Sequence, residues 1–288
     1  KNVLFIVPLL CCLFACTKSK LIVDSTEIDL GTIDRLNQVK FMNPLVGFIV
    51  GGEQFDHPTM FKTVDGGSTW NEVNLPSANE QKEIYGIDIF PDGQLITVGY
   101  GGTMFVSHDT GNTFTYVQHT SWKILKDVGF INAVRSQIVG GTGFNQGHIS
   151  DFINDGSGSN QIRDTKNFEL SDIDFIDSMN GYIAGYGAIL KTTDGGVHWE
   201  FTTAKNDYFK AMCWKNVNEG VAVGYEGSIL KTTDGGTSWN VIRNGNDITK
   251  KKFHFINVER NADQTIIAVG EKGTCYVSRD DGDTWVLT

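Results

Sequence analysis

Thr232-Thr-Asp234-Gly-Gly236-Thr-Ser-Trp239 is the clearest of five copies of one short pattern: Ser or Thr, Asp two residues later, Gly after two more, and Trp or Phe after a further three. A sixth, degenerate copy has Asn154 in the Asp place. The copies recur every 40 to 46 residues, which indicates a chain built from repeats of one small unit. The five Asp residues and five aromatic residues are Asp65, Asp109, Asp194, Asp234, Asp280, Trp70, Phe114, Trp199, Trp239 and Trp285.

The repeat unit that contains this copy has four short strand-like runs. They are Phe209–Trp214, Gly220–Gly224, Ser228–Thr232 and Ser238–Ile242, separated by Gly, Asn and Asp residues. Beyond the N-terminal segment, no stretch sustains apolar residues at three- and four-residue spacing, so we expect almost no helix. Four strands per repeat predict an all-β fold, a β-propeller of four-stranded blades, with six blades and a seven-bladed ring as the alternative.

The repeated pattern predicts a tight turn between the third and fourth strands of each blade. The Asp carboxylate can accept hydrogen bonds from backbone N–H groups two or three residues later, and Gly supplies a positive φ. The aromatic residue can then pack against the neighbouring blade and bury roughly 150–250 Å². We therefore interpret the five Asp residues as turn-closing groups.

This pattern resembles the Asp-box (BNR) repeat, and the resemblance extends over residues 39–288. Two copies with the strands that precede them, Asn180–Gly196 and Asn218–Gly236, are similar to blades of the photosystem II assembly and stability factor propellers. The resemblance implies a propeller that binds a protein partner and carries no chemistry of its own. Relatives in that family are thought to use a basic patch, whereas this chain is acidic, so the resemblance does not imply the same partner surface.

The first residues of the sequence predict export. Residues 3–15 form an apolar run that is too short for a permanent membrane span. Leu13-Phe-Ala-Cys16 resembles a lipobox, which would make Cys16 a lipidated N-terminus, and a plain cleaved signal is the alternative. We therefore expect a lipoprotein signal peptide at 1–16, a linker that could add a ring-closing strand at 17–38, and the propeller at 39–288. The predicted location is a membrane-anchored lipoprotein, facing the periplasm or at the cell surface.

The formal charge of −10 argues against nucleic acid as a partner and against direct adhesion to anionic lipid. Membrane contact is then expected only through the lipid anchor. Cys213 and Cys275 fall on different blades, so we expect two buried free thiols. No pattern indicates a cofactor or a metal. Residues 151–162 superficially resemble a calcium loop, but Ile153 and Ile162 stand at its third and twelfth positions, where an EF-hand needs oxygen ligands.

One face of the predicted disc carries the loops between second and third strands together with the blade-to-blade connections. Blades one and three have four extra residues there, and blades two, four and five each place a Tyr there. Aromatic groups on a rim are typical of binding surfaces, although each Tyr could instead cover the edge of a neighbouring blade. A metal shared by His57 and His148, which fall in the two longer loops, is disfavoured. The candidate binding residues for a protein or glycan are Tyr100, Tyr186, Tyr225, Phe55, His57, Phe144, His148 and Glu226.

Catalysis is the less favoured interpretation. Sialidases bind the carboxylate of their substrate with three arginines. In this chain Val39–Pro44 lacks the arginine expected near blade one, and the six arginines are not placed to converge at the mouth of the central channel of the propeller. Another glycoside hydrolase would need two carboxylates roughly 5–10 Å apart. Candidates on the correct face are Glu53, Asp56, Glu226 and Glu271. We therefore expect a non-catalytic binding scaffold in the cell envelope, with a carbohydrate-active or carbohydrate-binding propeller, or a purely structural envelope component, as alternatives.

Overall fold

The computed structural model describes residues 28–76, 81–156, 161–247, 249, 253–261 and 264–288. Within these ranges the chain forms six antiparallel sheets of four strands each, and every sheet is ordered as the chain runs. Helix is limited to single 3₁₀ turns at Tyr100–Gly102 and Glu271–Gly273. The prediction of a six-bladed, four-stranded β-propeller is therefore confirmed.

Blades one to three occupy the first half of the propeller. Blade one consists of β1 (Arg35–Phe41), β2 (Gly47–Glu53), β3 (His57–Thr63) and β4 (Asn71–Glu72). Blade two consists of β5 (Ile84–Ile89), β6 (Leu95–Gly99), β7 (Thr103–Ser107) and β8 (Thr115–Gln118). Blade three consists of β9 (Leu125–Phe130), β10 (Arg135–Thr142), β11 (Gln146–Ile153) and β12 (Gln161–Lys166).

Blades four to six occupy the second half. Blade four consists of β13 (Leu170–Phe175), β14 (Gly181–Gly185), β15 (Ala188–Thr192) and β16 (Glu200–Phe201). Blade five consists of β17 (Phe209–Trp214), β18 (Gly220–Gly224), β19 (Ile229–Thr232) and β20 (Asn240–Arg243). Blade six consists of β21 (Phe255–Arg260), β22 (Ile266–Gly270), β23 (Thr274–Ser278) and β24 (Val286–Leu287).

The N-terminal predictions fall mostly outside the described residues, which begin at Ile28. The signal peptide, Cys16 and residues 17–27 are all among the residues not described. Residues 28–34 form no strand, and β1 begins at Arg35, inside the segment 17–38. In the part of the chain that the structure describes, no helix has the length and apolar character needed to cross a membrane.

Each Asp-box turn is closed by a short network of hydrogen bonds around its carboxylate. In blade five, the Thr232 hydroxyl donates to Asp234 (2.9 Å) and accepts from the Gly236 N–H (2.9 Å). The backbone N–H and hydroxyl of Ser238 both donate to the Asp234 carboxylate, at 2.9 and 2.6 Å. These donors lower the pKa of Asp234, and Gly236 has a φ of +79°. These two donors lie four residues after the Asp, and in blade two the N–H of Asn112, three residues after Asp109, donates to it as we expected (3.0 Å).

The aromatic residue of the Asp-box turn packs between blades in blades two, four, five and six. Trp199 lies against the apolar core that joins blades three and four, with its ring 5.8 Å from that of Phe175. Its indole N–H donates to Gln137 on β10 of the preceding blade (3.2 Å). In these four blades the turn links a blade to the one before it, as the sequence pattern suggested, whereas Trp70 of blade one contacts Phe41 of its own blade.

Side chains of the innermost strands also join successive blades. Gln38 accepts the N–H of Ile87 (2.6 Å), and Asp88 accepts that of Phe130 (3.0 Å). Asp127 and Asp172 accept, in the same way, the N–H groups of Ile173 (3.0 Å) and Met212 (2.8 Å). Burial raises the pKa of Asp127 to about 7, although the Ile173 N–H opposes this shift. The bonds between inner strands are therefore made partly by carboxyl groups that resist ionisation.

The apolar core of the propeller is divided among the boundaries between blades. Among the described residues there are five buried clusters, and each lies between two consecutive blades from one to six. A ring of six blades has a sixth boundary, between blades six and one, and no such cluster forms there within the described ranges. We call this boundary the open seam.

Residues that face the open seam are far more exposed than their counterparts elsewhere. Leu36 and Val39 on β1 are 42% and 41% exposed, whereas the residues at the same two places in blades two to six are at most 4% exposed. On the other side of the seam, Ile267 and Val269 on β22 are 37% and 42% exposed, against at most 1% for their counterparts. Both walls of the seam therefore carry apolar side chains that the described chain covers only in part.

The two cysteines among the described residues have different environments. Cys213 is buried on β17, Cys275 is half-buried on β23, and both are free. The expectation of two free thiols is confirmed, but Cys275 is not fully buried. It is paired with Val269 on β22, and both residues lie at the open seam.

Candidate functional site

In every blade the turn between the second and third strands lies on the same face of the propeller. This face bears a discontinuous ring of exposed aromatic side chains, which we call the aromatic rim. Its first group joins blades one and two. Phe55, in the turn after β2, is exposed and lies edge-on to Tyr100 of blade two, with ring centroids 5.0 Å apart. The backbone N–H of Tyr100 donates to the backbone carbonyl of Glu83 (2.9 Å). The sequence predicted both aromatic residues for the binding face, and the structure brings them together.

The second group joins blades three and four. Phe144 lies 5.3 Å from Tyr186 and 5.9 Å from Tyr208, and the two tyrosine rings are 5.7 Å apart. Phe144 and Tyr186 are exposed, whereas Tyr208 is buried beneath them. Burial and the neighbouring Glu169 raise the pKa of Tyr208. Tyr208 was missed by the sequence analysis, and its position in a blade-to-blade connection is the signal that could have found it.

The third group joins blades five and six. Tyr225 packs against His254 with ring centroids 4.2 Å apart and ring planes tilted by 33°, and the His254 Nδ1 lies 2.8 Å from the Tyr225 carbonyl. Glu226 follows, with its backbone N–H donating to Asp207 (2.8 Å). Trp122, exposed with a φ of +55°, adds a further aromatic side chain between blades two and three that the sequence analysis did not select.

The extra residues of blades one and three lengthen strands rather than loops. In blade three, β10 and β11 each have eight residues, and only residues 143–145 lie between them. His148 is therefore not a rim-loop residue, as the sequence suggested, but a buried residue of β11, 1% exposed. Burial, with Lys123 and His119 nearby, lowers the pKa of His148 to about 4.

His57 has a different environment, at the start of β3. Its ring nitrogens lie 3.0 Å from Asp56 and 3.1 Å from Asp34. These hydrogen bonds, with that to Asp56 the larger effect, raise the pKa of His57. Within the described ranges, no group of three or more His, Cys, Asp or Glu side chains is arranged to hold a metal ion.

The mouth of the central channel lies inside the aromatic rim. A cavity of about 70 Å³ there is lined by residues of all six blades. Lys126 lies 3.6 Å from Glu169 and above the ring of Tyr85 (4.9 Å), while Lys210 lies over Tyr208 (4.3 Å). Burial and the charge of Lys126 lower the pKa of Lys210 to about 8. The channel mouth therefore holds basic and acidic side chains together, because Asp127 and Asp172 line the same cavity as Lys126 and Lys210.

The carboxylates considered for catalysis are divided among three blades. Glu53 and Asp56 belong to the β2–β3 turn of blade one, Glu226 follows β18 of blade five, and Glu271 follows β22 of blade six. This arrangement does not select an acid–base pair.

Residues 159–251 match the family model described as photosynthesis system II assembly factor YCF48. A search of curated protein sequences found no match. A solved structure of YCF48 bound to D1 peptide is 17% identical, with a TM-score of 0.59, covering 87% of this chain and 93% of that chain. YCF48 from Cyanidioschyzon merolae is 15% identical (TM-score 0.67; 91% and 88% covered), and U3-55K is 9% identical (TM-score 0.66; 90% and 82% covered).

At these identities the structural matches show a shared fold, while the family match adds sequence similarity over blades four and five and their borders. The resemblance that the Asp-box pattern indicated is therefore confirmed. The chain is an Asp-box β-propeller that resembles the photosystem II assembly factor family, with the sequence match carried by residues 159–251.

Proposed function

We propose that this chain is a non-catalytic scaffold that binds a segment of a partner protein on the aromatic rim. The observation that carries the proposal is the clustering of exposed aromatic side chains on one face, at three boundaries between blades. Interfaces are enriched in aromatic residues, which supply apolar area with little loss of side-chain entropy.

Two further lines support a protein as the partner. One structure with this fold is YCF48 bound to a D1 peptide, so a propeller of this kind can bind a peptide. The rim pairs also connect neighbouring blades, and a segment lying across them would contact several blades at once.

The proposed setting is the cell envelope, with the propeller exported and held at the membrane by a lipid on Cys16. The support is the apolar run at residues 3–15 and the lipobox-like sequence that follows it. This anchor would place the rim beside membrane-associated clients without any membrane contact by the propeller itself.

The proposal is tested by crosslinking in cells and affinity purification from the membrane fraction. Wild type is compared with a rim variant carrying Tyr100→Ala, Tyr186→Ala and Tyr225→Ala. A matched control carries Val64→Ala, Phe201→Ala and Val241→Ala, at exposed apolar positions away from the rim. We expect a client captured by wild type and by the control but lost from the rim variant.

Two outcomes would contradict the proposal. Capture that is equal in all three proteins would remove the rim as the binding surface. A wild type that captures no protein but binds cell-envelope polysaccharide would favour the carbohydrate alternative, and turnover lost on Glu53→Gln, Glu226→Gln or Glu271→Gln would favour a hydrolase.

A further inference from the structure

The open seam has two apolar walls that face each other. Leu36 and Val39 lie on the wall formed by blade one. Ile267 and Val269 alternate along β22 on the wall formed by blade six, and half-buried Cys275, which pairs with Val269, continues that wall. Exposed apolar surface of this kind is characteristic of a site that a partner covers.

The seam also lacks a hydrogen bond that joins inner strands elsewhere. In blades one, three and four, a side chain at one shared place accepts a backbone N–H of the next inner strand; these acceptors are Gln38, Asp127 and Asp172. Asn257 holds that place in blade six, but its Oδ1 accepts the N–H of Val258 on its own strand (2.7 Å). The corresponding N–H across the seam belongs to Val39, and no described side chain accepts it. The seam therefore offers a backbone donor as well as apolar walls.

The seam opens on the binding face, in a gap of the aromatic rim. The third rim group, Tyr225 with His254, lies at the boundary before the seam, and the first rim group lies at the boundary after it. Ile256 on β21 is 47% exposed and lines the channel mouth together with Asn37 of blade one. A segment that follows the rim from blade six to blade one therefore crosses the mouth of the seam.

We propose that the open seam receives an extended apolar strand of the partner protein, which enters from the aromatic rim and packs between β1 and β22. This proposal rests on the proposed function, because the strand belongs to the segment that binds the rim. Successive side chains of a strand point to opposite sides, and here both sides meet an apolar wall. The strand is therefore a run of about five consecutive aliphatic residues, as in strands buried on both faces, and this length matches the five residues of β22.

The missing hydrogen bond favours a peptide over another apolar occupant, a lipid acyl chain. The backbone of a strand carries carbonyl groups at regular spacing that can accept the N–H of Val39, whereas hydrocarbon has no acceptor. A strand with polar side chains would bury them against Leu36 and Ile267 without hydrogen-bond partners, which is costly. The walls therefore select aliphatic side chains on an extended backbone.

The thiol of Cys275 provides a probe of the seam. The full chain is treated with iodoacetamide, and mass spectrometry measures alkylation of Cys275, with buried Cys213 as the internal reference. The ligand is a capped peptide with Val-Ile-Val-Ile-Val at its centre and Gly and Ser at both ends. Its matched control has Ser in place of each Ile, so it is apolar on one side only. We expect the first peptide to slow alkylation of Cys275 at least about ten-fold at saturation, and to bind at least about ten-fold more tightly than the control.

Several results would overturn the proposal. One is protection of Cys275 by neither peptide, and another is equal protection by both. A Cys275 that does not react in the free protein would show that the seam is already covered. Protection by dodecanoate but not by the aliphatic peptide would assign the seam to an acyl chain instead.

A charge placed in the seam gives a second readout. Val269→Asp puts a carboxylate on the wall of blade six, and Val241→Asp, on β20 of blade five, is the matched control. Both valines are exposed strand residues, 42% and 60%, so the change in strand propensity is common to the two variants. Circular dichroism checks that both fold. We expect Val269→Asp alone to abolish protection of Cys275 by the aliphatic peptide, and protection kept in Val269→Asp would contradict the assignment.

Capture of the cellular client separates this inference from the proposed function. We expect the client to be lost from Val269→Asp and from the rim variant, and kept by Val241→Asp. Capture lost in the rim variant but kept in Val269→Asp would overturn the seam proposal and leave the rim function standing. Capture unaffected in both would contradict the rim function itself.

Discussion

The open seam predicts that two valines at the same place in two blades contribute unequally to stability. Val39 on β1 and Val128 on β9 are both paired with the centre of the second strand of their blade, opposite Ile49 and Ile138. Val128 is 1% exposed in the core between blades two and three, whereas Val39 is 41% exposed at the seam. Their strand environments otherwise match, so mutation of each to Ala compares burial with exposure.

The expected magnitudes follow from the buried area. Val128→Ala removes two buried methyl groups, which costs about 1.5 kcal/mol in transfer free energy, and the cavity adds up to about 1 kcal/mol. Val39→Ala loses only the buried part of that transfer term and leaves no cavity, so we expect about 1 kcal/mol or less. The difference of about 1.5 kcal/mol corresponds to roughly 3–6 °C in unfolding temperature.

The assay is urea and thermal unfolding of both variants beside wild type, followed by tryptophan fluorescence and circular dichroism. Any change in strand propensity from Val to Ala is common to the two variants and cancels in the comparison. If Val39→Ala costs as much as Val128→Ala, the wall of blade one is buried in the intact protein and the seam is covered. That result would refute the inference of an open sixth boundary.

Three further predictions address the buried polar groups. Burial raises the pKa of Asp127 to about 7 from 3.8, so its contribution to stability is greatest below about pH 4 and is lost as pH rises through 7. The unfolding temperature of wild type should therefore fall relative to that of Asp127→Asn between pH 5 and pH 8. Parallel pH profiles of the two proteins would contradict this. Thr232→Val removes the hydroxyl that serves both Asp234 and the Gly236 N–H, and should cost about 1–3 kcal/mol in urea unfolding; a loss below about 0.5 kcal/mol would mean that water replaces it. His148→Leu should raise the unfolding temperature, as measured by calorimetry, and a decrease would show that the imidazole is satisfied in solution.

Much of the fold was predictable because the signals are local. The turn around Asp234 is closed by donors within four residues, so its pattern is visible in any eight-residue window. Strand alternation and Gly punctuation then give four strands per repeat. The period of the repeats, read together with those strands, predicted the propeller and the face on which each loop lies.

Details of the candidate site were less accessible to sequence reasoning. The extra residues of blade three were expected in a loop, but they extend β10 and β11, and His148 is buried as a result. An inserted residue extends a strand only if the adjacent strand also has a residue that can pair with it. The sequence of one strand does not show whether that pairing forms. Tyr208 and Trp122 were missed because their positions relative to the rim depend on how the connections fold back over the blades.

The sequence by itself determined the repeat, the turn chemistry and the side of the disc for each loop, since these depend on residues close together in the chain. Only the tertiary structure decided that Phe55 meets Tyr100 and Phe144 meets Tyr186, and that five boundaries between blades are sealed while Leu36 and Val39 stay exposed at the sixth. These contacts join residues about one repeat or more apart. They are fixed by the angle and packing between whole blades, and no local pattern encodes that geometry.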